Sequence, residues 1–177
     1  SSYRMKTVSL KNCYFASDVR RENTVNNPPT GSGGAIYLQE TGNRMNGNKH
    51  FTWMDKLQLE NCTFDGCYSA ESGGALGIYG RVRDIEITGC SFIKTHANRG
   101  FGGAMTLAGH VSSMTLSNTI FDGCSSTASG GAVYVTSRVL WTDENTYSTF
   151  NELTVTDCIF RNSNGIANGV TENSTLG

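Results

Sequence analysis

The chain has little proline, no excess of charge of either sign and no long apolar run. Only 2 of its 177 residues are proline, and 14 basic residues balance 15 acidic ones to a net charge of −1. A chain so near neutrality does not attract nucleic acid or an anionic membrane surface, so we expect neither as a partner. No apolar stretch approaches the roughly 20 residues of a membrane-spanning helix, so we expect no membrane span.

Glycine, in contrast, is abundant, and much of it recurs in one phrase. The chain has 21 glycines, and a Gly-Gly-Ala-apolar phrase occurs four times. A corner between strands needs a backbone with positive φ and close approach to its neighbours, which glycine allows because it has no Cβ. We therefore assign a structural role at corners to the paired glycines Gly33, Gly34, Gly73, Gly74, Gly102, Gly103, Gly130 and Gly131.

A second phrase, apolar-x-apolar-x-x-Cys-x-Phe with threonine for cysteine in one copy, alternates with the first. It ends at Phe15, Phe64, Phe92, Phe121 and Phe160. Its alternation with period two predicts strands with one buried side. The same residue types return in every period, which stacking of like coils requires and a sandwich does not. The sequence therefore predicts an all-β parallel solenoid of about five coils, each with two longer strands and one short one.

The corner before each phenylalanine is predicted from asparagine. Asn12, Asn61 and Asn118 lie three residues before a phenylalanine, where Gly89 and Asp157 replace them in the other two coils. Asparagine tolerates the left-handed backbone region, and both substitutes are conformationally compatible with it.

The repeat is interrupted by extra residues within a single predicted domain, 1–177. We assign insertions to 18–30, 39–56 and 136–152, and the last two both follow a Gly-Gly-Ala strand. These two segments and their ends supply large aromatic residues, and the candidates for a contact surface are Phe51, Trp53, Trp141, Tyr147 and Phe150. They either fold back over the side of the solenoid or form a lateral surface for sugar or for a neighbouring protein.

The combination of Gly-Gly-Ala-apolar with a preceding Asn-Cys-x-Phe resembles the repeat of the polymorphic outer membrane proteins of chlamydial type and of related large cell-surface proteins. The resemblance covers nearly the whole chain, with four Gly-Gly-Ala copies and five phenylalanine phrases. It implies a right-handed parallel β-helix with a surface, adhesive or structural role.

Six cysteines lie at two repeat positions. Cys13, Cys62, Cys90 and Cys158 lie two residues before a phenylalanine, whereas Cys67 and Cys124 lie three after one. Their alternation suggests disulfides from Cys67 to Cys90, from Cys124 to Cys158 and from Cys13 to Cys62, which would place the protein in an oxidising compartment. The alternative is a ladder of small buried side chains. The spacing fits no zinc pattern, so we expect no metal site.

Paired carboxylates are the first catalytic arrangement to consider in a β-helix. Asp65 and Asp122 each follow a phenylalanine, with Ile93 at the same position in the coil between. Two coils separate them by roughly 9.6 Å, a distance that an inverting glycosidase can use. Aspartate beside glycine is more often a turn residue, and the three histidines have no repeated nucleophile partner, so we assign no catalytic residue and no cofactor.

We therefore expect a non-enzymatic extracellular or cell-surface module, structural or adhesive, that self-associates head to tail into a fibre. The partners expected are copies of the chain, other surface proteins or glycans. Asn61 and Asn173 begin glycosylation acceptor triplets. The alternative function is a polysaccharide-active enzyme, a lyase or glycoside hydrolase, or a carbohydrate-binding module.

Overall fold

A computed structural model describes residues 4–16, 31–39, 43–45, 48–50, 53–136, 150–167 and 170–172. Within these residues the chain forms strands and turns and no helix. Strands are numbered β1 to β21 in chain order, and all but two of them belong to four sheets.

The three central repeats each send one strand to each of the four sheets, in the same order. The first sheet contains the long strands, β1 (Arg4–Lys11), β6 (Trp53–Glu60), β10 (Arg81–Thr88), β14 (His110–Ser117) and β18 (Phe150–Thr156). The second contains β2 (Tyr14–Ala16), β7 (Thr63–Asp65), β11 (Ser91–Ile93), β15 (Ile120–Asp122) and β19 (Ile159–Arg161). The third contains β8 (Tyr68–Ser69), β12 (His96–Ala97), β16 (Ser125–Ser126), β20 (Asn164–Ala167) and β21 (Val170–Glu172). The fourth contains β3 (Ile36–Gln39), β9 (Leu76–Tyr79), β13 (Met105–Leu107) and β17 (Val133–Val135). The remaining two strands, β4 (Asn43–Met45) and β5 (Asn48–His50), pair with each other antiparallel.

Neighbouring strands from successive repeats pair in parallel and in register. In the first sheet Leu57 pairs with Ile85, and Ile85 pairs with Met114. In the fourth sheet Leu76 pairs in the same way with Met105. The predicted all-β class and the parallel strand pairing are confirmed, since like residues of successive repeats lie beside one another.

The division of a repeat into strands differs from the prediction. A repeat has one strand of seven or eight residues and up to three short ones, rather than two longer strands and one short one. The cause is an additional corner between the second and third sheets, where Gly66, Lys94, Gly123 and Asn162 have positive φ. A left-handed residue turns the strand direction, so the chain cannot continue as one strand through this position.

Two insertion boundaries also differ from the prediction. The segment 39–56 overlaps strands at both ends, because Gln39 ends β3 and Trp53 already begins β6. Met54 explains the early start, since it is buried beside its paired residues Met5 and Val82 and so adds an apolar position to the strand. Residues 150–152 of the segment 136–152 likewise belong to β18. The insertion predicted at 18–30 lies outside the described residues.

The core is built from columns of identical or similar side chains. Phe15, Phe64, Phe92, Phe121 and Phe160 form one such column. Their successive ring centroids are 4.7 to 4.9 Å apart and the ring planes are within 4° of parallel. The spacing equals the separation of neighbouring strands, so the backbone register itself sets the offset of the rings.

The last repeat ends differently from the others. Where the earlier repeats have Gly-Gly-Ala and a strand of the fourth sheet, β20 is followed after Asn168 and Gly169 by β21, which pairs with it antiparallel. Asn-Gly is the preferred sequence of a two-residue hairpin connection. At one edge of the third sheet, β21 therefore pairs with β20 in place of a strand from a further repeat.

Candidate functional site

The paired glycines meet two different requirements of the corner. The first glycine of each pair has positive φ, between 66° and 74°. A Cβ on the second would overlap main-chain atoms of the next repeat, as Gly74 would with the carbonyl oxygen of Gly103. These positions serve the turn of the chain at the corner and the close stacking of repeats.

The asparagine corner has the backbone expected of it. Asn12, Asn61 and Asn118 have φ of 48° to 54°, and Asp157 and Gly89 have φ of 53° and 64° at the same position. Asn61 is exposed, so its side chain is accessible as a glycosylation candidate. Asn173, the other candidate, lies outside the described residues.

The predicted disulfides are wrong, because all six cysteines are free thiols. Main-chain bonds place Cys13, Cys62, Cys90 and Cys158 in one column with Thr119, and place Cys67 and Cys124 in another with Thr95. Cys67 and Cys90 therefore belong to different columns, as do Cys124 and Cys158. Cys13 and Cys62 are column neighbours, but each thiol donates to a main-chain carbonyl oxygen, of Lys11 and of Leu10 or Glu60 respectively. The alternative of a ladder of small side chains describes the structure, and no disulfide supports an oxidising compartment.

Burial sets the ionisation of these thiols. It raises the pKa of Cys67 to about 11, with a smaller contribution from Asp65. Burial likewise raises the pKa of Cys90 to about 11. Thiols held protonated in this way are poor nucleophiles and poor metal ligands at neutral pH.

Asp65 and Asp122 lie in one column, with Ile93 between them in register. Asp65 Oδ2 accepts a hydrogen bond of 2.9 Å from the Tyr14 hydroxyl, which raises the pKa of Tyr14. Asp122 Oδ1 accepts a hydrogen bond from Asn162 Nδ2, and Asp122 Oδ2 forms an ion pair with Arg161 Nη2, each at 2.9 Å. These two contacts hold the pKa of Asp122 below its ordinary value. The lowered pKa of Asp122 is the opposite of the raised pKa that a general acid needs.

One histidine has a hydroxyl partner that the sequence argument missed. His96 and Ser125 pair in register in the third sheet, and His96 Nδ1 lies 2.8 Å from Ser125 Oγ. The Tyr68 ring stacks on His96 from the other side, with centroids 5.7 Å apart. The offset of 29 residues, one repeat, was the signal that could have revealed the pair. No described group of three or more His, Cys, Asp or Glu residues could bind a metal ion.

Of the aromatic contact candidates, the structure describes Trp53 and Phe150. Trp53 is half-buried at the start of β6, with the Arg81 guanidinium 5.6 Å from its ring centroid and His110 at 6.1 Å. Burial lowers the pKa of His110, and Arg81 lowers it further. Phe150 packs against the core cluster at the start of β18. Both side chains therefore extend the sheet rather than project from a loop, whereas Phe51, Trp141 and Tyr147 lie outside the described residues.

A second aromatic group lies on the outer side of the fourth sheet. It consists of Tyr37, Tyr79, Phe101 and Tyr134, which we call the aromatic face. Tyr37 and Tyr134 occupy equivalent positions, two residues after the alanine of Gly-Gly-Ala. This recurrence in the sequence was a signal that could have identified them.

The outermost strands expose apolar side chains at their free edges. Leu153 and Val155 of β18 are 46% and 44% exposed, although their register partners Met114 and Leu116 are buried. Ile159 of β19 is 49% exposed. Leu153 and Val155 lie in core columns of the last described repeat, whereas Ile159 lies in the outward column of Ile120. No further described strand pairs with β18 or β19 on this side.

Within the described strands and turns, no helix is long and apolar enough to cross a membrane. No family model, no curated protein and no solved structure matches the chain.

Proposed function

We propose that the four sheets surround a common core as a right-handed parallel β-helix of about five coils. Side chains of the first, second and fourth sheets contribute to one buried cluster, which supports closure of the sheets around it. Each repeat visits the sheets in the same order, and parallel crossover connections are right-handed in nearly all proteins.

This β-helix acts, in our proposal, as a non-enzymatic structural or adhesive module of an extracellular or cell-surface protein. The observation that carries the proposal is the apolar edge of β18 and β19, where Leu153, Val155 and Ile159 are exposed and no other strand of the described residues pairs. An unpaired strand edge with an apolar row is a template for pairing with another chain. The partner we propose is the β1 and β2 edge of a second copy.

The two edges are complementary in shape. If β1 of a second copy extends the register beyond β18, its Leu10 lies beside Val155, because Leu59 and Leu116 occupy the same column. Phe15 of that copy then lies beside Phe160 and lengthens the phenylalanine column. The contact repeats the pairing between the chain's own repeats.

The edges are also complementary in charge. β1 carries Lys6 and Lys11 and no acidic residue, whereas Glu152 and Asp157 lie in or beside β18, which has no basic residue. Opposite charges on strands paired in parallel stabilise the register that joins them. Like edges would repel, so the proposed contact is head to tail. A head-to-tail contact that does not close produces a filament.

Sedimentation velocity of the purified chain over a range of concentrations tests this function. We expect the sedimentation coefficient to rise with concentration, and we expect Val155→Lys to remain monomeric because it places a charge in the apolar row opposite the basic β1. Thr88→Lys is the matched control, since Thr88 is exposed on β10 in the middle of the first sheet. Monomers of the unmodified chain at every concentration, or equal association of Val155→Lys, would overturn the proposal.

A further inference from the structure

The outward positions of the fourth sheet carry no charged residue. One outward row is Tyr37, Gly77, Thr106 and Tyr134, and the next is Gln39, Tyr79, Ala108 and Thr136. The outer side of the first sheet is different, since it carries ion pairs between Lys11 and Glu60 and between Lys56 and Glu86. Gly77, Thr106 and Ala108 are buried within these rows, so the exposed aromatic surface is formed by the rings of Tyr37 and Phe101 and offers a charged ligand no ion pair.

The rings of the aromatic face lie in two pairs. Tyr37 and Tyr79 meet edge to face with centroids 5.6 Å apart, and Phe101 stacks on Tyr134 at 4.4 Å. Tyr37 is 43% exposed and Phe101 is 39% exposed. The row from Tyr37 to Tyr134 crosses three strand spacings, about 14 Å, which is longer than a single sugar ring.

The backbone holds these rings in place. A Cβ on Gly77 would lie 3.2 Å from the ring of Tyr37, so the ring rests directly on the sheet. Ser72 Oγ accepts a hydrogen bond of 3.0 Å from the Phe101 main-chain N–H. Thr106 Oγ1 donates a bond of 2.6 Å to the Phe101 carbonyl oxygen. Groups fixed before binding lose little conformational entropy when a ligand arrives.

We propose that the aromatic face binds a neutral polysaccharide. The flat faces of pyranose rings present C–H bonds that carry a partial positive charge, and the faces of aromatic rings carry a partial negative charge. The Tyr134 hydroxyl and the Gln39 amide at the rim can donate to and accept from sugar hydroxyls. The uncharged face matches a ligand without carboxylate or sulfate groups. This binding site lies on the side of the stack, so it does not depend on association of the ends.

Native gel electrophoresis through dissolved polysaccharide tests the proposal. The gels contain hydroxyethyl cellulose, xylan, glucomannan or β-1,3-glucan, with polygalacturonate as the charged comparison. We expect retardation by at least one of the four neutral polymers. The double variant Tyr37→Ala/Phe101→Ala should bind about tenfold more weakly, whereas Phe101→Tyr should retain binding because it keeps the ring.

Tyr68→Ala is the control for loss of a tyrosine elsewhere, because Tyr68 is half-buried on the third sheet, outside both proposed contacts. We expect its retardation to be unchanged. Each measurement is repeated in the Val155→Lys background, where the chain is expected to be monomeric, so that failure of self-association and failure of glycan binding are told apart. No retardation by any neutral polymer, retardation by polygalacturonate alone, or equal retardation of the double variant would overturn the proposal.

Discussion

At the scale of single residues, glycines in this fold are required for two separable reasons. Gly123 has positive φ, but the nearest atom to an added Cβ is a side-chain carbon of Lys94 at 3.5 Å. Gly103 has no positive φ, but an added Cβ would overlap the carbonyl oxygen of Gly131. Backbone strain acts at the first position and contact between repeats acts at the second.

Alanine substitution should separate these two causes. We expect Gly123→Ala to lower the free energy of unfolding by about 1 to 2 kcal/mol, the cost of a left-handed residue with a Cβ. Gly103→Ala should lower it by about 3 kcal/mol or more, because main-chain atoms must move apart. Urea unfolding followed by circular dichroism measures both, and equal losses would contradict the distinction.

Two buried threonines differ in whether their hydroxyls are bonded. Thr119 Oγ1 donates to the Ser117 carbonyl oxygen at 2.8 Å and accepts from the Cys90 N–H at 3.3 Å. Thr95 Oγ1 has no hydrogen-bond partner. Both residues are fully buried, at positions where other repeats have cysteine.

Valine substitution at these two positions should therefore have opposite effects. Thr95→Val removes an unsatisfied hydroxyl and should raise the free energy of unfolding by about 1 kcal/mol. Thr119→Val leaves the buried Cys90 N–H without its partner, while the Ser117 carbonyl oxygen keeps its bond from the Gly89 N–H, and should lower it by about 1 to 3 kcal/mol. The comparison is again by urea unfolding, and a loss of stability in both variants would show that Thr95 has a partner after all.

At the scale of elements, the cysteine columns couple stability to pH. The thiols of Cys67 and Cys90 have a pKa of about 11 in the folded chain, above the ordinary value of 9.0. A raised folded pKa means that the unfolded state loses these protons first as pH rises. The stability contributed by the protonated thiols is therefore complete below pH 9 and is lost as pH rises towards 11.

We expect the free energy of unfolding to fall between pH 9 and 11 more steeply in the unmodified chain than in Cys67→Ala/Cys90→Ala. The double variant has a lower stability overall because it lacks two buried side chains, but the slope with pH is the informative quantity. Tyrosine and lysine titrate in the same window in both proteins, so the difference between slopes isolates the two thiols. Identical slopes would contradict burial as the cause of the raised pKa.

The elements that could be predicted from the sequence are those whose residue types recur in each repeat. The corners at Gly33 and Asn12 and the phenylalanine column recur with the same residue types, so their roles follow from spacing alone. The corner at Gly66 was missed because Lys94 and Asn162 occupy equivalent positions, and these residue types share no pattern. The free thiols were missed because alternating cysteines predict bridges equally well until register shows which residues are neighbours.

The aromatic face and the final hairpin required the register of the strands. Phe101 lies at a corner position where the other repeats have serine, so its stacking on Tyr134 does not follow from the repeat. The antiparallel pairing of β21 likewise breaks the rule of the preceding repeats. The proposed glycan site thus includes an irregular position, Phe101, whereas the proposed contact between copies continues the regular pairing of the repeats.

At the scale of the whole molecule, the proposed assembly depends on the difference between the β1 edge and the β18 edge. The β18 edge is apolar with nearby acids, and the β1 edge carries lysines, so each copy offers two unlike ends. The hairpin of β20 and β21 occupies the edge of the third sheet, and the proposed contact uses the first and second sheets, whose last described strands are β18 and β19. Such an interface joins unlike surfaces, in contrast to the self-complementary contact of a symmetric dimer.

The most direct test mixes two variants that each have one end blocked. Val155→Lys blocks the β18 edge, and Leu10→Lys blocks the β1 edge, because it places a charge in the apolar column beside residue 155 of the next copy and would repel Lys at that position. By sedimentation velocity, each variant alone should be monomeric, and an equimolar mixture should form a dimer and nothing larger, because only one unblocked edge of each kind remains per pair. Dimers of either variant alone, or a mixture that stays monomeric while the unmodified chain associates, would contradict head-to-tail assembly.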